Sequence, residues 1–283
     1  MRRVIADDPL PHNHPILNAG ERLYTTDVQK LGIKIAKKDC RVLKPNGDLL
    51  FMLVKDVIPT NVWQPAYDLL KSVSGSLANR PDIIAKNLRL PGIRKNGTLG
   101  KFNVAPSNIV DAFGGNSDLL GYFKYKNPAP GVVDCAPTAW TIGSPQILGG
   151  CTQFICEVDR AYRTLLPEEY AAQLEVISKV PPHWRMFNTA FTTLYVLKNA
   201  PTAVHKDLAD AKGTFGCMAT LSDEHEWEGN EIVWPEFRVG CDYRPGDILL
   251  GDVHEWHTNL PKLSGNRVSC VFFVQGDIHK CPI

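Results

Sequence analysis

The stretch EIVWPEFRVGCDYRPGDILLGDV, residues 231–253, has the residue pattern of short strands joined by tight turns. It contains three runs rich in apolar and β-branched residues, at 231–234, 237–242 and 247–253. Before the last run lies RPGD (244–247), in which proline and glycine favour a turn. Short runs of this kind bounded by turn residues are typical of strands. The stretch therefore predicts three consecutive strands.

The same pattern continues on both sides of this stretch. Further strand-like runs occupy residues 191–197, 203–207, 215–221 and 267–275, with turn residues at EGN (228–230) and SGN (264–266). About seven short strands joined in this way favour a barrel or jelly roll. We predict an α+β fold with a double-stranded β-helix core and N-terminal helices packed on its sheet.

Helical periodicity precedes the strands. Apolar residues at three- and four-residue spacing predict a helix over 152–166, and Pro167 followed by two acids predicts the start of another. Tyr170, Leu174 and Ile177 would form the buried side of this second helix, and a further helix is expected near residues 63–73. We divide the chain into a mixed, loop-rich region, 1–114, expected to belong to the same domain, and a β-helix core, 115–283.

Composition excludes several classes of protein. The 31 Lys+Arg and 30 Asp+Glu residues nearly balance, so affinity for nucleic acid would need a local basic patch. Neither an apolar stretch of membrane-spanning length nor a signal peptide is evident, which predicts an intracellular protein, nuclear or cytoplasmic, without membrane association. The eight cysteines include no CxxC pair, which disfavours a zinc ribbon and predicts buried, reduced thiols. A monomer is expected, although the sequence does not set the oligomeric state.

His205 and Asp207 form an HxD pair, the first candidate for a metal site. Residues two apart on a strand point to the same face, so the imidazole and the carboxylate can bind one ion. A second histidine is available at His254 or His257, which have opposite parity on a strand. We choose His257, because its separation from Arg267 is typical of oxygenases with this pair. Two histidines and one carboxylate then form the facial triad of non-haem iron oxygenases.

The run RVSCVFFVQ (267–275) opens with Arg267 and is otherwise largely apolar. A buried guanidinium requires an anion, and the distal carboxylate of 2-oxoglutarate would supply one through a bidentate pair. Ser269 lies on the same face of the predicted strand and would add a hydroxyl. An arginine at a strand end that reaches water is the alternative.

Together these motifs resemble the TET/JBP family of DNA base dioxygenases. The resemblance covers residues 115–275, is strongest toward the C-terminal end, and includes LLGYF (119–123) and TAWT (138–141). It implies that the predicted triad binds Fe(II), that Arg267 and Ser269 hold 2-oxoglutarate, and that O2 is the second co-substrate. It also implies that Asp210 contacts the substrate base, and that Gln275 stands where cytosine-oxidising members have a histidine. An ascorbate-using enzyme remains an alternative, although Arg267 favours 2-oxoglutarate.

The expected reaction is hydroxylation of the C5 methyl group of 5-methylcytosine in DNA. An ionised Asp210 only accepts hydrogen bonds, which suits the N4 amino group of cytosine better than O4 of thymine. The base must leave the duplex, because a buried iron cannot reach a methyl group inside the base stack. Hydroxylation of thymine remains an alternative.

A basic stretch at residues 83–110 would contact the DNA phosphates, and a solvated loop is the alternative. The stretch contains no acid, and its cations are Lys86, Arg89, Arg94, Lys95 and Lys101. A 2-oxoglutarate hydroxylase of a protein or small molecule would need the triad and Arg267 but not these cations. A non-enzymatic β-helix binding module is disfavoured, because all four residues of that set are present.

Overall fold

Strands from both ends of the sequence form one large mixed sheet. The computed structural model describes residues 1–75, 89–93, 99–103, 115–124, 134–223 and 227–282, and for 89–93 and 99–103 the backbone alone. In this part of the chain the largest sheet has nine strands. In spatial order they are β1 (Arg2–Ile5), β3 (Cys40–Leu43), β4 (Leu49–Val54), β14 (Ile248–Gly251), β10 (Gly216–Leu221), β17 (Val268–Phe273), β9 (Thr193–Lys198), β7 (Asn116–Lys124) and β8 (Cys135–Pro137).

Smaller sheets accompany it. The second sheet contains, in spatial order, β15 (Thr258–Asn259), β12 (Ile232–Trp234), β13 (Val239–Cys241) and β2 (Lys34–Ala36). Two further pairs are β11 (Glu228–Gly229) with β16 (Lys262–Ser264), and β5 (Arg89–Ile93) with β6 (Leu99–Asn103). Because β1, β3 and β4 join the large sheet and β2 joins the second, residues 1–54 contribute strands to both.

Helices cover one face of the large sheet. α1 (Thr25–Lys30) is not one of them, since its Val28 packs against a separate apolar cluster that includes Val204 and Val233. The covering helices are α2 (Thr60–Leu70), α3 (Ala139–Gly143), α4 (Pro145–Gly150), α5 (Thr152–Leu165) and α6 (Pro167–Ser178), and 3-10 turns occur at Pro182–Trp184, Pro235–Phe237 and Ile278–Lys280. Phe154 of α5 packs edge-on against Phe272 of β17, with ring centroids 5.7 Å apart. The helices predicted near 63–73, over 152–166 and from Pro167 are therefore present.

Alternation of side chains along the strands separates two apolar cores. On β10, Cys217 packs toward the helices, whereas its neighbour Met218 packs between the sheets. Between the sheets, Trp234 stacks on Phe51 at 4.8 Å. A Cβ at position 251 would lie 2.7 Å from the Trp234 ring, so the glycine there allows the indole to approach the backbone of β14.

One prediction about a buried side chain is wrong. Leu174 is 41% exposed, and Gln173 occupies the buried side of α6 instead. Its amide is fully used inside the core, since it donates to the Ala190 carbonyl at 2.7 Å and accepts from the Tyr162 hydroxyl at 3.2 Å. Apolar periodicity cannot detect a polar residue that is buried with its own hydrogen-bond partners.

The cysteine prediction also needs correction. Cys135 and Cys281 form a disulfide that joins β8 to the C-terminal segment, although the sequence predicted reduced thiols. The pairing depends on proximity in the fold, and the two residues are 146 positions apart in the sequence. Of the six free cysteines all but Cys156 are buried, and burial raises the pKa of Cys151 to about 12.

Candidate active site

Backbone pairing brings two histidines together from distant parts of the sequence. His205 and His257 form an isolated antiparallel bridge, in which the His205 N–H donates to the His257 carbonyl at 3.0 Å and the reverse bond is 2.9 Å. The pairing extends to Thr202, whose hydroxyl accepts from the Asn259 N–H at 2.7 Å. The two imidazole centroids consequently lie 4.3 Å apart.

Asp207 completes the cluster. Its Oδ1 lies 3.5 Å from Nε2 of His205, and its Oδ2 lies 3.5 Å from Nε2 of His257. One ligand atom from each of the three residues falls within 4.8 Å of the others. The side chains are 5% exposed for His257, 12% for His205 and 25% for Asp207. Solvent therefore reaches the cluster from the side of the carboxylate.

Hydrogen bonds fix which nitrogen of each ring faces Asp207. Nδ1 of His205 lies 2.7 Å from the Ala203 carbonyl, and Nδ1 of His257 lies 2.9 Å from the Glu255 carbonyl. A carbonyl only accepts, so each Nδ1 carries a proton and each Nε2 faces the carboxylate. When both Nε2 atoms are unprotonated, their lone pairs and the carboxylate converge as three ligands for a cation. This donor set fits Fe(II).

The charges within the cluster reinforce this arrangement. Burial by itself would raise the pKa of Asp207, but the attraction and hydrogen bonding of His205 and His257 outweigh it and hold that pKa well below its usual range. Asp207 is therefore an ionised carboxylate at neutral pH, the form in which a carboxylate binds a metal.

The HxD pair does not lie on the strand predicted at 203–207. Beyond the bridge at His205, the Asp207 N–H donates to the Val253 carbonyl at 2.9 Å, and the chain turns as the Leu208 N–H donates to the Lys206 carbonyl. The two side chains converge because the backbone of each pairs with the 253–257 segment, and strand alternation is not the cause.

His254 lies outside the cluster. Its Nδ1 is 3.5 Å from Oδ1 of Asp252, and its own N–H donates to the same carboxylate at 3.0 Å. Hydrogen bonding to Asp252 raises the pKa of His254 despite partial burial. The structure thus places His257 beside Asp207 and gives His254 a different neighbour.

Lys44, which the sequence reasoning missed, holds the loop before His257 in place through two ion pairs. Lys44 Nζ contacts Asp252 at 2.8 Å and Glu255 at 2.7 Å, and only 14% of its side chain is exposed. The Glu255 carbonyl is the group that orients the His257 ring. Lys44 is far away in the sequence and belongs to no motif, so only the fold reveals the connection.

Arg267 is buried, with 2% exposure, and it forms no ion pair with any residue that the structure describes. Nη2 donates to the Ser269 hydroxyl at 2.6 Å and to the Tyr243 hydroxyl at 3.2 Å, and Nη1 donates to the Asn230 carbonyl. These partners are all neutral. A buried guanidinium without a carboxylate carries an uncompensated charge, which suits an anionic ligand.

Other donors surround this guanidinium. The indole nitrogen of Trp227 and the amide nitrogen of Asn230 are buried and have no hydrogen-bond partner among the described residues. The guanidinium centre lies 6.0 Å from the Trp227 ring centroid. Unpaired buried donors beside an unpaired cation fit the distal carboxylate of 2-oxoglutarate. The sequence reasoning overlooked Trp227, Asn230 and Tyr243 as parts of this site.

One residue connects the triad to Arg267. The Asn230 carbonyl accepts from Arg267 and also, at 3.3 Å, from the side-chain amide of Asn259, which follows His257 by two positions. Arg267 and the metal-ligand cluster therefore belong to one contiguous region of the β-core.

Asp210 and Gln275 are backbone partners in an isolated antiparallel bridge. The Gln275 amide nitrogen donates to the Lys124 carbonyl at 3.3 Å, whereas its Oε1 is buried and has no partner among the described residues. Burial and the charge of Asp207 raise the pKa of Asp210 well above its usual value. β17 ends at Phe273, two residues before Gln275.

The basic stretch is described only in part. Arg94, Lys95 and Lys86 lie outside the described residues, and for β5 and β6, which include Arg89 and Lys101, only the backbone is described. Within the described part of the chain, no helix has both the length and the apolar character that crossing a membrane requires.

Comparison with known proteins relates this site to one family. Residues 119–276, more than half of the chain, match the Tet_JBP family, described as the oxygenase domain of the 2OGFeDO superfamily. Thymine dioxygenase JBP1 of Crithidia fasciculata is 29% identical over 186 residues, which are 62% of this chain and 22% of that protein. Thymine dioxygenase JBP1-B of Trypanosoma cruzi is 30% identical over 173 residues, which are 59% of this chain and 20% of that protein. The chain thus spans about a fifth of the length of these relatives.

A solved structure supports the fold. A structure described as NgTET1 in complex with 5mC DNA superposes with a TM-score of 0.57 at 13% identity, covering 86% of this chain and 79% of that one. At this identity the likeness shows the fold alone. Together with the two sheets and the helices packed on the larger one, it confirms the predicted double-stranded β-helix.

Proposed function

Because the chain belongs to the Tet/JBP family of 2-oxoglutarate- and Fe(II)-dependent oxygenase domains, we propose that it oxidises the C5 methyl group of a pyrimidine base in DNA. The observation that carries the proposal is the triad of His205, Asp207 and His257 next to a buried Arg267 that has no carboxylate partner among the described residues. The first group suits a metal, and the second suits a dicarboxylate co-substrate. An enzyme that activates O2 with 2-oxoglutarate needs both.

In this proposal His205, Asp207 and His257 hold Fe(II), and Arg267 with Ser269 holds the distal carboxylate of 2-oxoglutarate. When bound, iron and 2-oxoglutarate convert O2 into the oxidant that attacks the methyl group. The protein orients both rings through their Nδ1 hydrogen bonds and keeps Asp207 ionised. Arg267 also favours 2-oxoglutarate over ascorbate as the reductant, because ascorbate has no distal carboxylate to neutralise a buried guanidinium.

DNA enters the proposal through the substrate names of the relatives and through access to the site. The matched proteins are named thymine dioxygenases, and the cluster opens to solvent on the side of Asp207. A methyl group inside a base stack cannot reach a metal held between two sheets, so the target base must be flipped out of the duplex.

5-Methylcytosine is the first candidate base. The Gln275 amide nitrogen donates to the Lys124 carbonyl, so its buried Oε1 remains as an acceptor. Asp210 is bridged to Gln275 through the backbone, and because its pKa is raised its carboxyl can donate as well as accept. Acceptors suit the N4 amino group of cytosine, which thymine lacks. Thymine is the second candidate, because the curated relatives are named for it.

Nucleoside mass spectrometry tests the reaction. The purified chain would be incubated with Fe(II), O2 and 2-oxoglutarate, or ascorbate in its place, and with matched DNAs containing 5-methylcytosine or only thymine as the methylated base. Asp210→Ala should lower kcat/KM for the preferred base several-fold to about a hundredfold, in keeping with about 1–3 kcal/mol for a good base contact. Values within threefold of wild type on both DNAs would remove Asp210 from base recognition. Absence of any oxidised nucleoside would redirect the search to proteins and small molecules.

We propose that residues 1–114 and 115–283 fold as one domain. The strands that residues 1–54 add to both sheets support this proposal.

We also propose that the basic stretch at residues 83–110 contributes phosphate contacts. If Arg94 and Lys95 contact phosphates, replacing both should reduce the slope of log K against log salt by about two units, one for each contact. An unchanged slope would restore the solvated-loop alternative.

A further inference from the structure

Leu208 has the most exposed side chain among the large apolar residues that the structure describes, at 76%. A single exposed leucine is normally unremarkable, because much of any protein surface is apolar. Its position makes this one different. It directly follows Asp207, on the side from which solvent reaches the metal-ligand cluster.

The backbone around Leu208 is held firmly. On one side the Asp207 N–H donates to Val253, and on the other the Ala211 N–H donates to Val274 at 2.8 Å. Within the turn, the Leu208 N–H donates to Lys206 at 2.9 Å, and the Ala209 carbonyl accepts from Gly276 at 2.9 Å. The turn therefore presents an apolar side chain to solvent from a fixed backbone, which lowers the entropic cost of inserting it into a partner.

Leu208 borders a surface cavity of about 400 Å3. Lys179 and Lys212 also line it, are exposed, and form no ion pair with another described residue. Two acids line the cavity. Asp277 is paired with Lys280 at 2.7 Å, so Asp210 is the one lining acid without an ion pair among the described residues. An apolar side chain beside a cavity that two unpaired cations also line is complementary to a base stack flanked by phosphates.

Building on the proposed function, we infer that Leu208 inserts into the DNA duplex at the position vacated by the flipped base, with Lys179 and Lys212 contacting the flanking phosphates. Flipping a base leaves a gap in the stack, and apolar wedges such as leucine fill gaps of this kind in proteins that unstack DNA. Because Leu208 and Asp207 are adjacent, the wedge and the metal-ligand cluster act on the same nucleotide.

The test compares duplex with single-stranded DNA of the same sequence, carrying the methylated base that wild type oxidises. Leu208→Ala should lower kcat/KM on the duplex about tenfold or more, since unstacking a base step costs a few kcal/mol. On the single strand, where no stack needs opening, activity should stay within about threefold of wild type. Leu208→Phe, which keeps a wedge, should retain most of the duplex activity. The matched control is Leu263→Ala, which removes another leucine that is 61% exposed and should leave both substrates unaffected.

A second measurement does not depend on turnover. A duplex with 2-aminopurine beside the target base should become more fluorescent when wild type binds, because the neighbouring base unstacks, and less so with Leu208→Ala. Equal loss of activity on both substrates, or no loss on the duplex, would overturn the wedge. If wild type oxidises neither duplex nor single-stranded DNA, the proposed function itself fails.

Discussion

Two largely buried carboxylates, Asp159 and Asp207, have opposite surroundings. Asp159 on α5 is 2% exposed and accepts from the Tyr170 hydroxyl at 2.9 Å, the Ala190 N–H at 2.8 Å and Arg163 at 2.9 Å. Among the described residues, the side chain of Asp207 contacts only the Nε2 atoms of the two imidazoles, each at 3.5 Å. The fold satisfies the first carboxylate with short hydrogen bonds, whereas the second faces two groups that can themselves bind a metal.

This difference separates a structural acid from a ligand. Buried polar groups in a folded chain normally find close hydrogen-bond partners, so a carboxylate flanked only by two imidazoles at longer distance indicates a cation ligand that the chain does not supply. Arg267 shows the same feature with the opposite charge, because among the described residues its buried guanidinium meets only neutral groups. The Asp159 cluster is in the helical layer, whereas Asp207 and Arg267 lie in the β-core.

Asp207→Ala should produce the largest effect. We expect complete loss of turnover and of tight Fe(II) binding, because the only carboxylate in the triad is removed. Iron content, measured after anaerobic loading, and product formation check this. His257→Ala should behave similarly, whereas His254→Ala, the matched control outside the cluster, should be much milder. Full activity of Asp207→Ala at limiting iron would contradict the metal site.

Arg267→Ala should raise the 2-oxoglutarate concentration needed for half-maximal activity by about 10- to 150-fold. Loss of a hydrogen bond to a charged group costs about 1.5–3 kcal/mol. Iron binding should not change, which distinguishes this variant from those of the triad. Unaltered dependence on 2-oxoglutarate, together with turnover on ascorbate alone, would show that the co-substrate has been misidentified.

Asp159→Ala should affect the stability of the fold rather than iron binding and turnover, the opposite of what we expect for Asp207→Ala. The change leaves the Tyr170 hydroxyl and the Ala190 N–H without their buried acceptor, so the free energy of unfolding should fall by about 1–3 kcal/mol. The exposed Arg163 adds little to this cost. Urea unfolding of both metal-free variants near pH 8 makes the comparison. Greater destabilisation by Asp207→Ala would erase the distinction between the two carboxylates.

Asp252, which holds the loop before His257, should give the smallest effect, and one that depends on pH. Burial opposes ionisation, but hydrogen bonds from His254 and Lys44 lower the pKa of Asp252 to about 2. Its contribution to stability is therefore present above about pH 4 and is lost as the pH falls toward 2, at most about 2 kcal/mol in total. Asp252→Asn should flatten the acid limb of the stability profile, measured by urea unfolding between about pH 5 and pH 2. An identical slope in wild type and variant would argue against a low pKa.

Much of the fold could be predicted from local pattern. The helices over 152–166 and from Pro167, and most of the strands after residue 190, follow from periodicity and turn chemistry, because these depend on residues near one another in the chain. Leu174 was misplaced because Gln173 satisfies its amide through tertiary contacts. The disulfide between Cys135 and Cys281 was missed for the same reason.

The sequence by itself determined which residue types were available for chemistry: an HxD pair, a later histidine and an arginine opening an apolar run. Only the tertiary structure decided how they meet. His205 faces His257 through a backbone bridge, Asp207 is positioned by Val253, and both the Lys44 contacts and the neutral shell around Arg267 come from distant segments. Local pattern reports which way a side chain points along one element, whereas hydrogen-bond satisfaction and charge balance are sums over every segment packed around a group.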